Sequence, residues 1–254
     1  MDPFSVQGKL ALITGATRGI GLGAARALAL SGASLILVGR DLAELERAAD
    51  ELRQVAKFVH VAPFDLAHTD GIAEWFDALC ATVGTPEILI NSAGISKRGA
   101  AVDLSIDDWN DVMRVNVTAI FELSRAFAKS LIRDGRGGRV INIASLMTAA
   151  ARPGTAPYTA SKGAVGQLTK ALAVEWARNG ILVNAIAPGY IDTDLNKALI
   201  ADPEFDNWVK NRCPLGRWGN PMDVAWPVVF LASPAAGFIT GQVIFVDGGW
   251  LATF

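Results

Sequence analysis

Tyr158 and Lys162 stand four residues apart, and Ser145 lies thirteen residues before the tyrosine. On a helix, a spacing of four puts two side chains on one face, one turn apart. There the lysine ammonium acts on the phenol, whose ordinary pKa of about 10 makes it a poor proton donor or acceptor at neutral pH. A nearby cation favours the phenolate and brings that pKa toward working range. A serine hydroxyl alongside holds a substrate oxygen where a proton can be passed. The trio reads as acid–base chemistry at an oxygen-bearing carbon. Tyr-x-x-x-Lys is also an ordinary surface pair, so its meaning depends on the elements around it.

Those elements alternate. Short, almost continuously apolar runs at 10–14, 35–38, 58–62, 88–91, 140–144, 182–186 and 243–246 read as strands covered on both faces. Between them lie helical stripes: Leu42, Leu45, Ala49, Leu52 and Val55; then Ile72, Trp75, Phe76, Leu79 and Val83; then Trp109 through Leu131 as one long helix. Asp41 with Glu44 matches a capping box, and Asn220 before Pro221 marks a late helix start. The expected fold is α/β, a single-domain doubly wound seven-stranded parallel sheet with helices on both faces, spanning 1–254. One long interruption, 190–219, holds Leu195, Leu199, Phe205 and Trp208; it reads either as a lid over a site or as an irregular excursion packed on the core.

With 254 residues, 51% of them hydrophobic, and a formal net charge of −2, the chain has ample core and no basic surface for nucleic acid. Arg133, Arg136 and Arg139, interleaved with glycines, read as a solvated turn before a strand. Two cysteines and two histidines give no confident metal set, so no metal is expected, and a reducing cytoplasmic location is. Residues 1–9 carry no apolar run and suggest no signal peptide; the uncharged stretch 224–246 is broken by Pro227, Pro234, Gly237 and Gly241, so no membrane span is expected.

The first strand runs into Thr14-Gly15-Ala16-Thr17-Arg18-Gly19-Ile20-Gly21, and a helix follows. Such glycines permit a tight turn and close backbone approach to phosphate, and the helix N-terminus offers free N–H groups to a pyrophosphate. With this loop, Asn91-Ser92-Ala93-Gly94 after the fourth strand, Asn116 in the long helix, then Ser145, Tyr158 and Lys162, Pro188-Gly189 and Asp247-Gly248-Gly249, the chain resembles the short-chain dehydrogenase/reductase family over nearly its whole length. Ser92 departs from the Asn or Ala usual there.

The resemblance implies hydride transfer between a nicotinamide and a carbon bearing oxygen, with Tyr158 as acid/base, Ser145 positioning substrate oxygen, Lys162 also bonding the nicotinamide ribose, and Asn116 holding a water that replenishes the proton. In the same way Gly15, Thr17, Arg18, Gly19, Ile20, Gly21, Asn91, Ala93 and Gly94 are expected at the cofactor. Asp65 and Leu66 would sit at adenine, and Pro188, Gly189, Ile191 and Thr193 at the carboxamide. At the end of the second strand, where an NAD enzyme carries an acid, stand Gly39 and Arg40. With Arg18 nearby, a 2′-phosphate and hence NADP(H) is favoured; Arg40 pairing with Asp41 or stacking on adenine would leave NAD(H) possible.

For substrate, Lys97, Arg98 and Arg152 border the expected mouth, beside Ser145 and Tyr190. Cations there suit a carboxylate or an acceptor-rich polyol. They and the segments 189–193 and 213–219 resemble the gluconate 5-dehydrogenase-like branch, acting on a sugar acid or polyol. The alternatives are a 3-oxoacyl-carrier-protein reductase, for which Lys129 would serve but Val174 would not, and a non-catalytic dinucleotide sensor. A homotetramer packed through the long helices and the last strand is implied by the family; the apolar tail from Trp250 to Phe254 fits burial at such an interface or equally against its own subunit.

Overall fold

Neighbouring residues of the first strand go to opposite sides of the sheet: Ala11 and Ile13 join one buried cluster, Leu12 the other. This two-residue alternation, with both faces covered, is why the strands read as unbroken apolar runs. The structure is a computed structural model describing residues 2–253; Phe254 of the expected interface tail lies outside the described residues. Strands β1 (Leu10–Thr14), β2 (Ser34–Gly39), β3 (Val59–Pro63), β4 (Ile88–Asn91), β5 (Gly138–Ile143), β6 (Ile181–Pro188) and β7 (Val243–Val246) form one parallel sheet in the order β3-β2-β1-β4-β5-β6-β7. The order reverses between β1 and β4, so a crevice opens there at the carboxyl ends of the strands.

Helices α1 (Gly19–Leu30) and α2 (Leu42–Leu52) cover one face, joined later by α9 (Pro221–Ala232); α3 (Ile72–Val83), α5 (Ala119–Arg133) and α6 (Ala156–Trp176) cover the other. Gly23 permits the close crossing of α1 and α9, since a Cβ there would meet Pro221 at 2.9 Å. Asn220 caps α9 in a full capping box with Asp223, whose carboxylate also takes both guanidinium nitrogens of Arg217 at 2.7 and 3.1 Å. At α2 only half of the expected box forms. Asp41 accepts the Glu44 N–H, while the Glu44 carboxylate pairs with Arg47.

The structure changes three expectations. The long helix is α4 (Ile106–Met113) joined to α5 through one π-helical stretch, Arg114–Thr118, which contains Asn116. Arg139 is not in a solvated turn: its backbone pairs with Ile88 and Leu182 inside β5, and its side chain is partly buried with Nε unpartnered. Strand β7 is an edge, partly exposed rather than buried.

The interruption after β6 carries α7 (Lys197–Ile200) and α8 (Pro203–Arg212) and is closed by a parallel bridge between Ile191 and Gly219. Asp202 caps α8 through the Glu204 and Phe205 N–H groups. Among the described residues, no helix is long and apolar enough to cross a membrane.

Candidate active site

A cleft of about 740 Å³ runs along the carboxyl ends of the strands, over the point where the sheet order reverses. Its size is that of a cofactor site. The glycine loop forms one wall. Gly15 and Gly19 have φ of +64° and +56°, conformations that L side chains rarely adopt. A Cβ on Gly21 would sit 2.1 Å from the Gly15 carbonyl oxygen, and one on Gly15 would sit 3.0 Å from Ala93 Cα. The loop thus lies directly on the 92–94 segment, and α1 starts with its N–H groups toward the cleft. Thr14 Oγ1 ties the two together, accepting the N–H groups of Ser92 and Ala93 at 3.0 Å each.

Thr17, Arg18, Ile20, Asp65, Leu66, Gly94, Pro188, Gly189, Ile191 and Thr193 all line this cleft, as expected of cofactor contacts. Where β2 meets the cleft, Gly39 and Arg40 close the strand without an acid. Arg40 does not pair with Asp41, which is spent on capping α2. Arg18 also faces the cleft, with Nε 3.9 Å from Asp194.

Asn91 departs from expectation: it does not line the cleft. It is buried, donating to Ser124 Oγ at 3.0 Å and to Asn142 Oδ1 at 2.8 Å, and Asn142 donates on to Thr169. Because β4 is central, its side chain is enclosed by β5, α5 and α6 and ties them together. Asn116 is also fully buried and faces neither cavity. Its Oδ1 accepts the Ile95 N–H, and its amide donates to the Ile95 carbonyl and Ser161 Oγ. Both amide hydrogens are therefore spent on fixing the loop after β4.

Strand β5 and helix α6 bring the central trio together. Ser145, just past β5, accepts the Met147 N–H at 3.2 Å and bonds the Tyr158 hydroxyl. Lys162 Nζ lies 5.6 Å from the Tyr158 ring centroid and donates to the Ile143 carbonyl at 2.7 Å. Burial pushes the lysine down to about 8. Burial also raises the Tyr158 pKa, opposed by the Ser145 hydrogen bond and the charge of Arg98. Lys162 thus stands over the Tyr158 ring while donating to a backbone carbonyl, and the charge of Arg98 also acts on the phenol.

A second, smaller cavity of about 80 Å³ adjoins the cleft. Ser145, Tyr158, Gly189, Leu195 and Asn196 border both, so the serine and tyrosine hydroxyls stand at the junction. Arg98, Arg152 and Tyr190 line the small cavity. A backbone bond from Gly99 N–H to the Gly154 carbonyl, 3.1 Å, joins the two arginine-bearing loops. Neither arginine pairs with a carboxylate among the described residues, and they repel: Arg152 and burial both depress the Arg98 pKa, burial more. Lys97, expected beside them, is not a wall residue. It pairs with Asp108 at 3.1 Å, because the residue after Ser96 turns toward the start of α4.

A family model described as enoyl-(acyl carrier protein) reductase matches residues 15–251. Gluconate 5-dehydrogenase of Gluconobacter oxydans (strain 621H) is 43% identical, over 98% of this chain and 96% of its own. The chain belongs to the short-chain dehydrogenase/reductase family. Within that family, galactitol 2-dehydrogenase (L-tagatose-forming) of Cereibacter sphaeroides is 44% identical over 97% of this chain and 96% of its own. A crystal structure of a gluconate 5-dehydrogenase from Burkholderia cenocepacia J2315, in complex with NADP and tartrate, superposes with a TM-score of 0.93 at 41% identity, covering 100% of this chain and 99% of that one.

For this short-chain dehydrogenase/reductase, sequence reasoning assigned no individual role to several wall residues. Asp194 stands between Arg18 and Lys197 at the cleft rim. Leu195, Asn196 and Leu199 close the small cavity from the lid side, and Phe205 carries the Arg152 guanidinium 5.0 Å above its ring. No local motif marks these residues, although Leu195, Leu199 and Phe205 stood out as apolar residues in an otherwise irregular segment.

Proposed function

We propose that the protein is an NADP(H)-dependent oxidoreductase that interconverts a secondary alcohol and a ketone on a sugar acid. The observation that carries this is the small cavity, where two guanidiniums without acidic partners face the Ser145–Tyr158 junction. Two cations held together in a partly dry space, at a cost, form a receptor for a carboxylate.

The cofactor, when bound in the cleft, supplies or accepts the hydride. The chain does the rest. Ser145 donates to the substrate oxygen. Tyr158 gives its proton to the oxygen in reduction and removes it in oxidation. Its raised pKa keeps the acid form present at neutral pH, which suits the reducing direction. Lys162 is held by the Ile143 carbonyl at the cleft wall, and its remaining N–H groups would hold the nicotinamide ribose. Asn116 keeps the loop after β4 in place through Ile95, and a water beside Lys162 would return the proton from solvent. Arg40 and Arg18 take the 2′-phosphate, for which no acid at the end of β2 competes.

Segment 190–219 acts as the substrate lid, since Leu195, Asn196 and Leu199 close the cavity from above. The chain forms a homotetramer through its exposed apolar faces and works in the cytoplasm, where Cys80 and Cys213, both unpaired, stay reduced. A 3-oxoacyl-carrier-protein reductase would need a basic docking face, whereas α6 presents Val174 at 84% exposure.

The test is a panel of sugar acids, polyols and neutral ketones with each nicotinamide, followed by cofactor absorbance. A sugar acid with NADP(H) should give the highest kcat/KM, and Arg40→Asp should move the NADP/NAD ratio at least tenfold toward NAD. An unchanged ratio would refute the 2′-phosphate assignment, and equal rates on acids and neutral polyols would refute the carboxylate assignment.

A further inference from the structure

Arg152 is held in an unusual way for a loop arginine. Its guanidinium lies over the Phe205 ring, 5.0 Å from the centroid, and donates to the Tyr190 hydroxyl. Thr155 Oγ1 bonds the Arg152 carbonyl at 2.7 Å, fixing the backbone beneath. The two supports are themselves fixed. Tyr190 packs on Phe205, Trp208, Trp218 and Trp250, with centroids 4.7 to 5.9 Å away. Trp218 Nε1 donates to Asp206 at 2.8 Å, which locks the loop after α8 back onto that helix.

A guanidinium has two kinds of surface. Its flat face stacks on an aromatic ring, and its N–H groups lie in the plane. With the Phe205 ring beneath the guanidinium and the Tyr190 hydroxyl bonded to it, Arg152 is held without the free rotation of a long side chain. Arg98, on the opposite loop, has no such support among the contacts that the structure shows.

We propose that Phe205 and Tyr190 are positioning residues that hold Arg152 on the cavity wall and thereby set the preference for carboxylate-bearing substrates over neutral polyols. Half of the carboxylate receptor is then built by the lid: Phe205 lies on α8 and Tyr190 at the foot of the lid. Selection for the acid and docking of α8 are one event. This rests on the sugar-acid reading above, and it gives Tyr190 a role that acts through Arg152 instead of through substrate contact.

The experiment compares kcat/KM for gluconate and for a neutral hexitol in wild type, Arg152→Ala, Phe205→Leu, Phe205→Tyr and Tyr190→Phe, with NADP saturating. Arg152→Ala should lower the acid-to-polyol ratio by tenfold or more. Phe205→Leu and Tyr190→Phe should each lower it about three- to tenfold, through KM for the acid, with the polyol KM moved far less. Phe205→Tyr keeps a ring under the guanidinium and should retain the ratio, which a loss of general packing would not predict. If Arg152→Ala lowers the ratio while Phe205→Leu and Tyr190→Phe leave it unchanged, the positioning role is wrong and the receptor stands. If Arg152→Ala leaves the ratio unchanged, the receptor and the positioning role fall together.

Discussion

At the scale of single residues, the site is a balance between burial and charge. Tyr158 is pushed toward its neutral form by its surroundings and is drawn back by Ser145 and Arg98. The sign of the effect is testable. Removing the Arg98 cation raises the phenol pKa further, so the base form appears only at higher pH. For oxidation of a neutral alcohol, which does not need Arg98 for binding, the rising limb of kcat/KM against pH should move to higher pH in Arg98→Leu. An unmoved limb would show that Arg98 does not act on the tyrosine. Lys162 illustrates how far residue spacing reaches. Four residues put it beside Tyr158, but the sequence holds no sign that its ammonium would be taken by the Ile143 carbonyl at the carboxyl end of β5. Asn91 shows the same limit: its place at a strand end was legible, its burial among Ser124 and Asn142 was not, because those partners come from other elements.

At the scale of elements, the glycine loop is the part most tightly dictated by sequence. Gly21 cannot carry a methyl group without displacing the Gly15 carbonyl, which would lie 2.1 Å away. Gly21→Ala should therefore weaken NADP(H) binding by at least about tenfold, read as loss of the nucleotide-dependent rise in Tm. A variant that binds nucleotide normally would mean that the loop is not the phosphate cradle. The strands followed from apolar runs, since β-strands buried on both faces leave an unmistakable pattern, whereas their order within the sheet came only with the structure. The lid did not. Its helices α7 and α8 are short, and only Leu195, Leu199, Phe205 and Trp208 hinted that it faces something; which loop arginine it would meet depends on tertiary packing.

At the scale of the molecule, the sheet ends in an open edge. Phe245 on β7 is exposed, as is Trp226 on α9, and Phe238 between them is fully so. Trp109 and Phe121 are exposed on α4 and α5. An uncovered apolar edge of this kind invites pairing with another copy. Light scattering should give four chain masses for the wild type, and Phe245→Lys should shift the protein to smaller species; a monomeric wild type would contradict the assembly. Trp250 packs within its own chain on Tyr190 and Trp208.

The central claim is that Tyr158 passes the proton in an NADP(H)-linked reaction at a carbinol carbon. It is tested most directly by turnover of a keto sugar acid with NADPH in wild type and Tyr158→Phe, with nucleotide Kd measured on the same samples. Loss of turnover by about 10²- to 10⁴-fold with Kd unchanged is the predicted result. Turnover near the wild-type level in Tyr158→Phe would contradict it.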